Sequence, residues 1–295
     1  MSAVVVGYSQ TRGGADALAL AERFARAIDS PMQVVMVLPS EDRPSLAPPS
    51  PAYERVLEQF ADSALESVVD EAPAGTTVKS QVWYADDVAS GLVEAAQTYD
   101  ADVIVIGGGR HGTLGRVALG SIGNILLHSA QVPVALAPRG SRHHGDRPID
   151  RVTVGIGGRS GAKYVIDEAI RLAARSGAPL RLASMVALHG RDSTSQESAR
   201  RGAQEALEYI HAHLPAGVTA TWELAVGDAI EDAAAELDWL RDEVAMVGSS
   251  RLAPPRRLFL GSVANKLLRV VPVPLVVVPR DHASGPDQGS EGEQP

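Results

Sequence analysis

The run GSIGNILLHSAQVPVALAPR at residues 120–139 returns as GSVANKLLRVVPVPLVVVPR at residues 261–280. In both runs Gly-Ser precedes a helical pattern, and a short apolar strand follows it. Matches at the same offset of 141 extend back to Asp87 and Asp228, while an offset of 148 aligns Val4 with Val152 near the two starts. A register held over this distance indicates a duplicated domain. The seven-residue difference in offset is expected in the Pro-rich loop 44–51.

Each copy alternates strands with helices. In the first copy we expect strands at 4–6, 34–38, 78–83, 103–106 and 132–137, an amphipathic helix from Tyr53 to Val68, and another helix from Gly120 to Ser129. The second copy repeats the pattern from Arg151 to Arg280. Uninterrupted β-branched strands that alternate with helices indicate an α/β fold with a parallel sheet covered on both faces.

The predicted boundaries follow from the repeat. The first domain spans 1–139, a linker rich in Gly, His and Arg spans 140–150, and the second domain spans 151–281. Residues 282–295 have a Gly, Ser, Pro and acidic composition that is typical of disorder. The fifth strands, 132–137 and 273–278, are apolar throughout and would be adhesive sheet edges if left bare. We therefore expect them to pair antiparallel, which gives an internal pseudo-dimer; further homodimerisation stays open.

Composition narrows the class of protein. The chain has 295 residues, 45% of them apolar, a net charge of −9 and no cysteine. Disulfides, thiolate catalysis and Cys-based zinc sites are therefore excluded. The negative charge argues against nucleic acid or an anionic membrane as the main partner. The longest apolar run, Val270–Val278, is far shorter than the ~20 residues of a membrane span. We expect a cytoplasmic protein.

Glycines at two strand ends mark the segment that could carry chemistry. Gly7 follows the first strand, and Gly107 opens a glycine-rich loop that ends at Gly120-Ser121, before a helix. Ligands of open parallel sheets bind beyond the carboxyl ends of the strands, and a helix N-terminus there favours an anion. Two interpretations remain open: the loop holds a phosphate, or its glycines serve turns and Ser121 caps the helix.

The basic residues support the first interpretation. No Asp or Glu occurs from Val103 to Gly145 or from Val244 to Arg280. These two stretches suit a site that tolerates negative charge, although a solvated basic face is the alternative. Their basic side chains are Arg110, Arg116, Arg139 and Arg142 in the first, and Arg251, Arg256, Arg257, Lys266, Arg269 and Arg280 in the second.

The run from Gly107 to Ser121, followed by Asn124 and Val132-Pro133-Val134, resembles the universal stress protein family, whose ATP-binding members carry G-x2-G-x9-G-S/T. The resemblance covers nearly all of the chain. It implies two tandem doubly wound, five-stranded Rossmann-like domains and a possible adenine nucleotide, ATP, as ligand. The implied binding residues are Gly7, Ser9, Val37, Gly107, Gly109, Arg110, Gly112, Gly120, Ser121 and Ile122, with a weaker second site at Gly155, Gly248, Arg251, Gly261 and Ser262.

The chain departs from this pattern in both copies. The second glycine of the motif is replaced by Arg110 and Arg251, and the aspartate that follows the first strand is replaced by Ser9 and Gly157. The second loop also carries Pro254-Pro255, which supply no N–H donor. We therefore expect two incomplete and unequal sites, with any nucleotide mainly in the first copy.

Other constellations are weaker. The string G-x-G-x-x-G at Gly107 follows the fourth strand rather than the first, so it is no dinucleotide fingerprint. We expect His143-His144 to be solvated and His211 and His213 to point apart. Asp86 and Asp87 are interpreted as a helix N-cap, with support from Asp228.

The sequence predicts no catalytic residues, because no nucleophile has an evident base. It predicts no metal site, because neither pair of histidines is suited to bind a metal jointly. The leading function is a nucleotide-responsive stress regulator with an unknown protein partner. An interaction module of the same fold that has lost nucleotide is the main alternative. The third candidate function is that of an ATP-hydrolysing or adenylyl-transferring enzyme.

Overall fold

The computed structural model describes residues 3–40, 51–73, 75–109, 119–156, 163–187, 193–249 and 261–279. The first copy consists of β1 (Ala3–Gly7), α1 (Arg12–Ala27), β2 (Met32–Pro39), α2 (Pro51–Asp70), β3 (Val78–Ala85), α3 (Val88–Thr98), β4 (Ala101–Gly107), α4 (Ser121–Ser129) and β5 (Val134–Ala137). The second consists of β6 (Val152–Ile156), α5 (Lys163–Ser176), β7 (Leu180–Ala187), α6 (Ser193–His213), β8 (Ala220–Gly227), α7 (Ile230–Glu236), β9 (Val244–Gly248), α8 (Ser262–Val270) and β10 (Leu275–Val278). The predicted tail 282–295 lies outside the described residues.

One ten-stranded sheet runs through both copies, in the order β3-β2-β1-β4-β5-β10-β9-β6-β7-β8. Pairs within each copy are parallel, and the two copies join where β5 and β10 pair antiparallel, with Ala135 opposite Val276. This confirms the predicted pairing of the fifth strands. Two apolar strands that would otherwise be sheet edges are thereby buried.

Two apolar cores lie on the two faces of this sheet. Buried residues of α1, α2, α5 and α6 pack on one face, and those of α3, α4, α7 and α8 pack on the other. A small additional cluster joins α7 to β7 and β8. Strand order reverses between β1 and β4 in the first copy and between β6 and β9 in the second. These two switch points fix where a ligand site is expected.

The two copies differ most between their second strand and second helix. Eleven residues separate β2 from α2, but only five separate β7 from α6. Most of the predicted length difference therefore falls in the Pro-rich loop. The amphipathic helix predicted from Tyr53 to Val68 buries its apolar residues only in its second half: Leu65 is buried, but Tyr53, Val56 and Phe60 are 58%, 60% and 51% exposed.

Two carboxylates, one from each copy, bind the linker. The Asp16 carboxylate on α1 accepts hydrogen bonds from the Gly140 and Arg142 amides at 3.1 and 3.0 Å and pairs with the Arg142 guanidinium at 3.0 Å. His144 Nδ1 lies 2.9 Å from Asp242 Oδ1, so the prediction of a solvated His144 is wrong. Arg142 likewise has a carboxylate partner, which removes it from the basic residues available to a phosphate.

Among the helices in the described part of the chain, none has the length and apolar character that a membrane span requires.

Candidate functional site

The ends of β1 and β4 meet at the switch point of the first copy. Val6 lies opposite Val105 in the parallel ladder, so Gly7 and Gly107 end neighbouring strands. A Cβ atom on Gly7 would lie 2.7 Å from Leu92 Cδ1, and therefore a side chain at Gly7 would require the Leu92 side chain on α3 to shift. The fold therefore brings Gly7 and Gly107 together, as predicted, above closely packed side chains.

Gly107 serves packing in a way that the sequence did not reveal. A Cβ atom built on it would fall 2.1 Å from the carbonyl oxygen of Gly13, in the first turn of α1. The N–H of the next residue, Gly108, donates to Ala137 O at 3.0 Å and so extends the sheet. Gly107 therefore lets α1 approach the strand end, and the Gly108 amide is not available to a phosphate.

The start of α1 is closed by its own cap. Thr11 Oγ1 accepts a hydrogen bond from the Gly14 amide at 3.2 Å and lies 3.1 Å from Ser9 Oγ. Ser9 is exposed at the mouth of the switch point, as a ribose-contacting role would require. Thr11 was missed in the sequence, although Thr before a helical pattern is a recognised N-cap signal.

The start of α4 has no such cap. Gly120 is its N-cap residue and has no side chain to accept a hydrogen bond, while Ser121 is the first helical residue. The alternative in which Ser121 caps the helix is therefore wrong. The first helical N–H groups, at Ser121, Ile122 and Gly123, have no acceptor within the helix. Ser121 and Ile122 are exposed, so the helix start reaches an accessible surface there, whereas Gly123 is buried.

Gly109 and Gly120 bring the two ends of the glycine-rich loop together. A Cβ atom on Gly120 would lie 3.7 Å from Gly109 Cα. The uncapped start of α4 is therefore adjacent to the end of β4. The residues between them that were predicted to bind, Arg110 and Gly112, lie outside the described residues.

Val37 extends the site along β2. The ladder between β1 and β2 ends with Gly7 opposite Val35, whose carbonyl accepts from the Tyr8 amide at 2.9 Å. Val37 lies two residues further, so its backbone groups point to the same side as those of Val35, beyond the end of β1.

Burial, and secondly Glu71, raises the pKa of the Tyr8 phenol, which keeps it neutral at physiological pH.

The second copy repeats this frame with differences. Gly155 and Gly248 end β6 and β9, Gly261 is the N-cap residue of α8, and no side chain caps that helix. At Gly248 the nearest atom to a built Cβ is Val165 Cγ1, at 3.7 Å, which is ordinary contact. Ser262 begins α8, and Arg251 lies outside the described residues.

A cavity of about 90 Å³ lies beside the site but does not include it. It is lined by the ends of β2 and β3 and the start of α2, among them Ser40, Tyr53, Glu58 and Tyr84. Within the described ranges, no group of three or more His, Asp or Glu side chains has an arrangement that would hold a metal ion. The uncapped helix start is thus the feature of this edge best suited to an anionic ligand.

Comparison with known proteins agrees with this architecture. The model of the universal stress protein family matches residues 1–138 and 148–279, which together make up most of the chain. The chain belongs to the universal stress protein family. A universal stress protein of Mycobacterium tuberculosis (strain H37Rv) is 30% identical over 291 residues, covering 94% of this chain and 99% of that protein. An equally similar one is present in Mycobacterium bovis.

Solved universal stress proteins share the tandem fold. One from Archaeoglobus fulgidus DSM 4304 has a TM-score of 0.70 at 18% identity and covers 94% of this chain and 98% of its own. A putative universal stress protein from Pseudomonas aeruginosa has a TM-score of 0.57 at 18% identity, with 95% and 93% covered. At this identity the likeness is one of fold.

Proposed function

We propose that this universal stress protein is a cytoplasmic regulator that responds to an adenine nucleotide bound mainly in its first copy. The uncapped N-terminus of α4 carries the proposal. It lies against Gly109 at a sheet switch point and leaves N–H donors exposed beside the Ser121 hydroxyl. Such a helix start favours phosphate through its free N–H groups and its dipole.

The remaining parts of a nucleotide have partners along the same edge. In this proposal the exposed Ser9 hydroxyl would bind the ribose, and the Val37 backbone, beyond the end of β1, would hydrogen-bond the adenine edge. The described residues therefore fit an adenine nucleotide with its phosphates at α4 and its base toward β2. ATP is the member of this class that the family resemblance indicates.

Ligand recovery tests the proposal directly. Protein purified without added nucleotide would be denatured, and the released small molecules identified by mass spectrometry. We expect an adenine nucleotide from the wild type and much less from Gly120→Val, whose side chain would enter the gap beside Gly109. Gly261→Val is the matched control in the second copy. Absence of nucleotide, together with no ATP binding by wild type at millimolar concentration, would remove the proposal.

We also propose that nucleotide is bound without turnover. Residues 103–145 and 244–280 contain no carboxylate that would hold Mg²⁺ or act as a base beside the glycine-rich loops. ATP hydrolysis is therefore expected to stay far below about 1 per second, the rate of a slow enzyme. A rate near that value that is lost in Ser121→Ala would show that the protein is an enzyme.

The exposed face of α2 favours a second candidate function, that of an interaction module. Tyr53, Val56 and Phe60 form an apolar row on its outer side, and the second copy has Ser198 and Gly202 at the counterparts of Val56 and Phe60. Large apolar side chains grouped on a surface are typical of contact sites. If purified protein carries no nucleotide, this function takes precedence.

A further inference from the structure

A cavity of about 400 Å³ lies at the opposite edge of the first copy, at the amino ends of β1, β2 and β3 beside the end of α3. Its polar lining includes Gln33, Lys79, Gln81, Tyr99 and Asp100. The volume is within the range of about 300–1,000 Å³ that small-molecule sites have. None of these residues belongs to the proposed nucleotide site, which lies at the carboxyl ends of the strands.

The second copy fills the equivalent place with its own side chain. Arg181 is 2% exposed and occupies on β7 the position that Gln33 occupies on β2. Its guanidinium donates to Glu243 and Glu223 at 2.9 Å each and lies 5.0 Å from the ring centre of Trp239. A buried ion cluster therefore satisfies the polar groups at this edge of the second copy.

The first copy lacks most members of this cluster. Gln81 stands where Glu223 is, and Val5 where Thr153 is, since the two β-ladders have the same register. Asp102, the counterpart of Glu243, instead pairs with Arg175 of α5 at 3.4 Å. The shorter Gln33 side chain leaves the space open, and the cavity is the result.

Gln33 offers this space a polar group that the chain does not use. Its side chain lines the cavity, the residue is only 7% exposed, and its amide forms no hydrogen bond with any residue in the described ranges. The amide atoms keep access to the cavity and are not among the buried polar atoms that lack a partner. They are therefore free to donate to and accept from a molecule that enters this space.

The charges at the mouth indicate what kind of molecule that is. Lys79 on β3 and Asp100 after α3 line the same cavity, and within the described part of the chain neither forms an ion pair. A ligand that carries both charges would neutralise both side chains at once. We propose that this cavity binds a small zwitterion of the α-amino-acid class, with its carboxylate toward Lys79, its ammonium toward Asp100, and a hydrogen bond to the Gln33 amide.

Calorimetric titration of the full-length chain with each of the twenty common amino acids tests this assignment. We expect one-to-one binding of at least one, weakened on the order of tenfold or more when its amino group is acetylated or its carboxylate is amidated. Lys79→Met and Asp100→Asn should each weaken binding similarly. Asn suits Asp100 because the backbone there is left-handed, with φ 50°. Thr221→Ala, at the counterpart of Lys79 in the second copy, should leave binding unchanged.

Three results would overturn the assignment. They are no binding of any amino acid at roughly 10 mM, equal binding of the blocked derivatives, or full binding by a Lys79→Met/Asp100→Asn double variant that unfolds at the wild-type temperature. Gly120→Val keeps the test independent of the nucleotide proposal. Amino acid binding should survive that substitution, and its loss there would also count against a separate site.

Discussion

Gly107 and Gly248 end equivalent strands, β4 and β9, but their surroundings differ. A Cβ atom would lie 2.1 Å from Gly13 O at the first and 3.7 Å from Val165 Cγ1 at the second. We therefore expect Gly107→Ala to lower the free energy of unfolding by about 1–3 kcal/mol, the usual cost of overpacking. Gly248→Ala, as the matched control, should change it little. Denaturant unfolding of both variants checks this, and equal losses would contradict the packing of α1 on β4.

Two glycines at the ends of the glycine-rich loop could be identified from the sequence alone. Gly107 and Gly120 were singled out correctly as marking the loop ends, because glycine punctuation is visible in any sequence. The reason for Gly107 was not visible, since it depends on how closely Gly13 of α1 approaches in the folded chain.

At the scale of elements, α3 and α7 begin differently although they occupy equivalent places. The Asp87 carboxylate accepts from the Ala89 and Ser90 amides at 2.9 and 3.1 Å, which confirms it as the N-cap of α3. In the second copy the N-cap residue is Ala229, so the support drawn from Asp228 was wrong; instead Asp232 accepts from the Ala229 amide at 3.0 Å. Both copies have an aspartate at this position, but only Asp87 caps its helix.

This difference gives a matched pair of substitutions. Asp87→Ala removes two hydrogen bonds to helix amides and should destabilise the protein by about 1 kcal/mol, as N-cap losses do. Asp228→Ala removes no cap and should have a smaller effect. Thermal unfolding followed by circular dichroism compares the two. A larger loss for Asp228→Ala would mean that the start of α7 is described incorrectly.

At the scale of the whole molecule, α5 of the second copy meets α1 and β4 of the first. Glu168 lies in this region and pairs with Arg171 at 2.7 Å. Burial nevertheless raises the pKa of the Glu168 carboxyl. Arg171 and Tyr164 act to lower this pKa, and Asp102 acts to raise it further. Because the pKa of Glu168 is raised in the folded state, the protonated carboxyl favours folding. This contribution to the free energy of unfolding is fully present below the unfolded pKa of about 4.3. It is lost as pH rises through the folded pKa.

Glu168→Gln should therefore match the wild type in acid and become relatively more stable as the pH rises through that range. Denaturant midpoints measured from pH 4 to pH 7 give the difference. A difference independent of pH, or one that favours the wild type increasingly at higher pH, would contradict the raised pKa of Glu168.

The overall architecture could be predicted because it follows from patterns along the chain. Alternating apolar strands and helices predicted the parallel sheet, and two bare apolar strands predicted the β5–β10 pairing. The exposure of Phe60 could not be predicted, since helical periodicity does not say which apolar residues find a partner. The ion cluster around Arg181 could not be predicted either, since its members are far apart in the sequence and meet only in the folded chain. Likewise, only the folded chain shows that the start of α4 is uncapped while that of α1 is closed by Thr11.

The central claim is that nucleotide binds mainly in the first copy, and calorimetry with ATP on Gly120→Val and Gly261→Val tests it most directly. Each charged hydrogen bond from a helix amide is worth about 1.5–3 kcal/mol, so loss of two would weaken binding on the order of a hundredfold or more. We predict that Gly120→Val abolishes measurable ATP binding and that Gly261→Val leaves it close to that of the wild type. Loss of binding in Gly261→Val with full binding in Gly120→Val would contradict the claim.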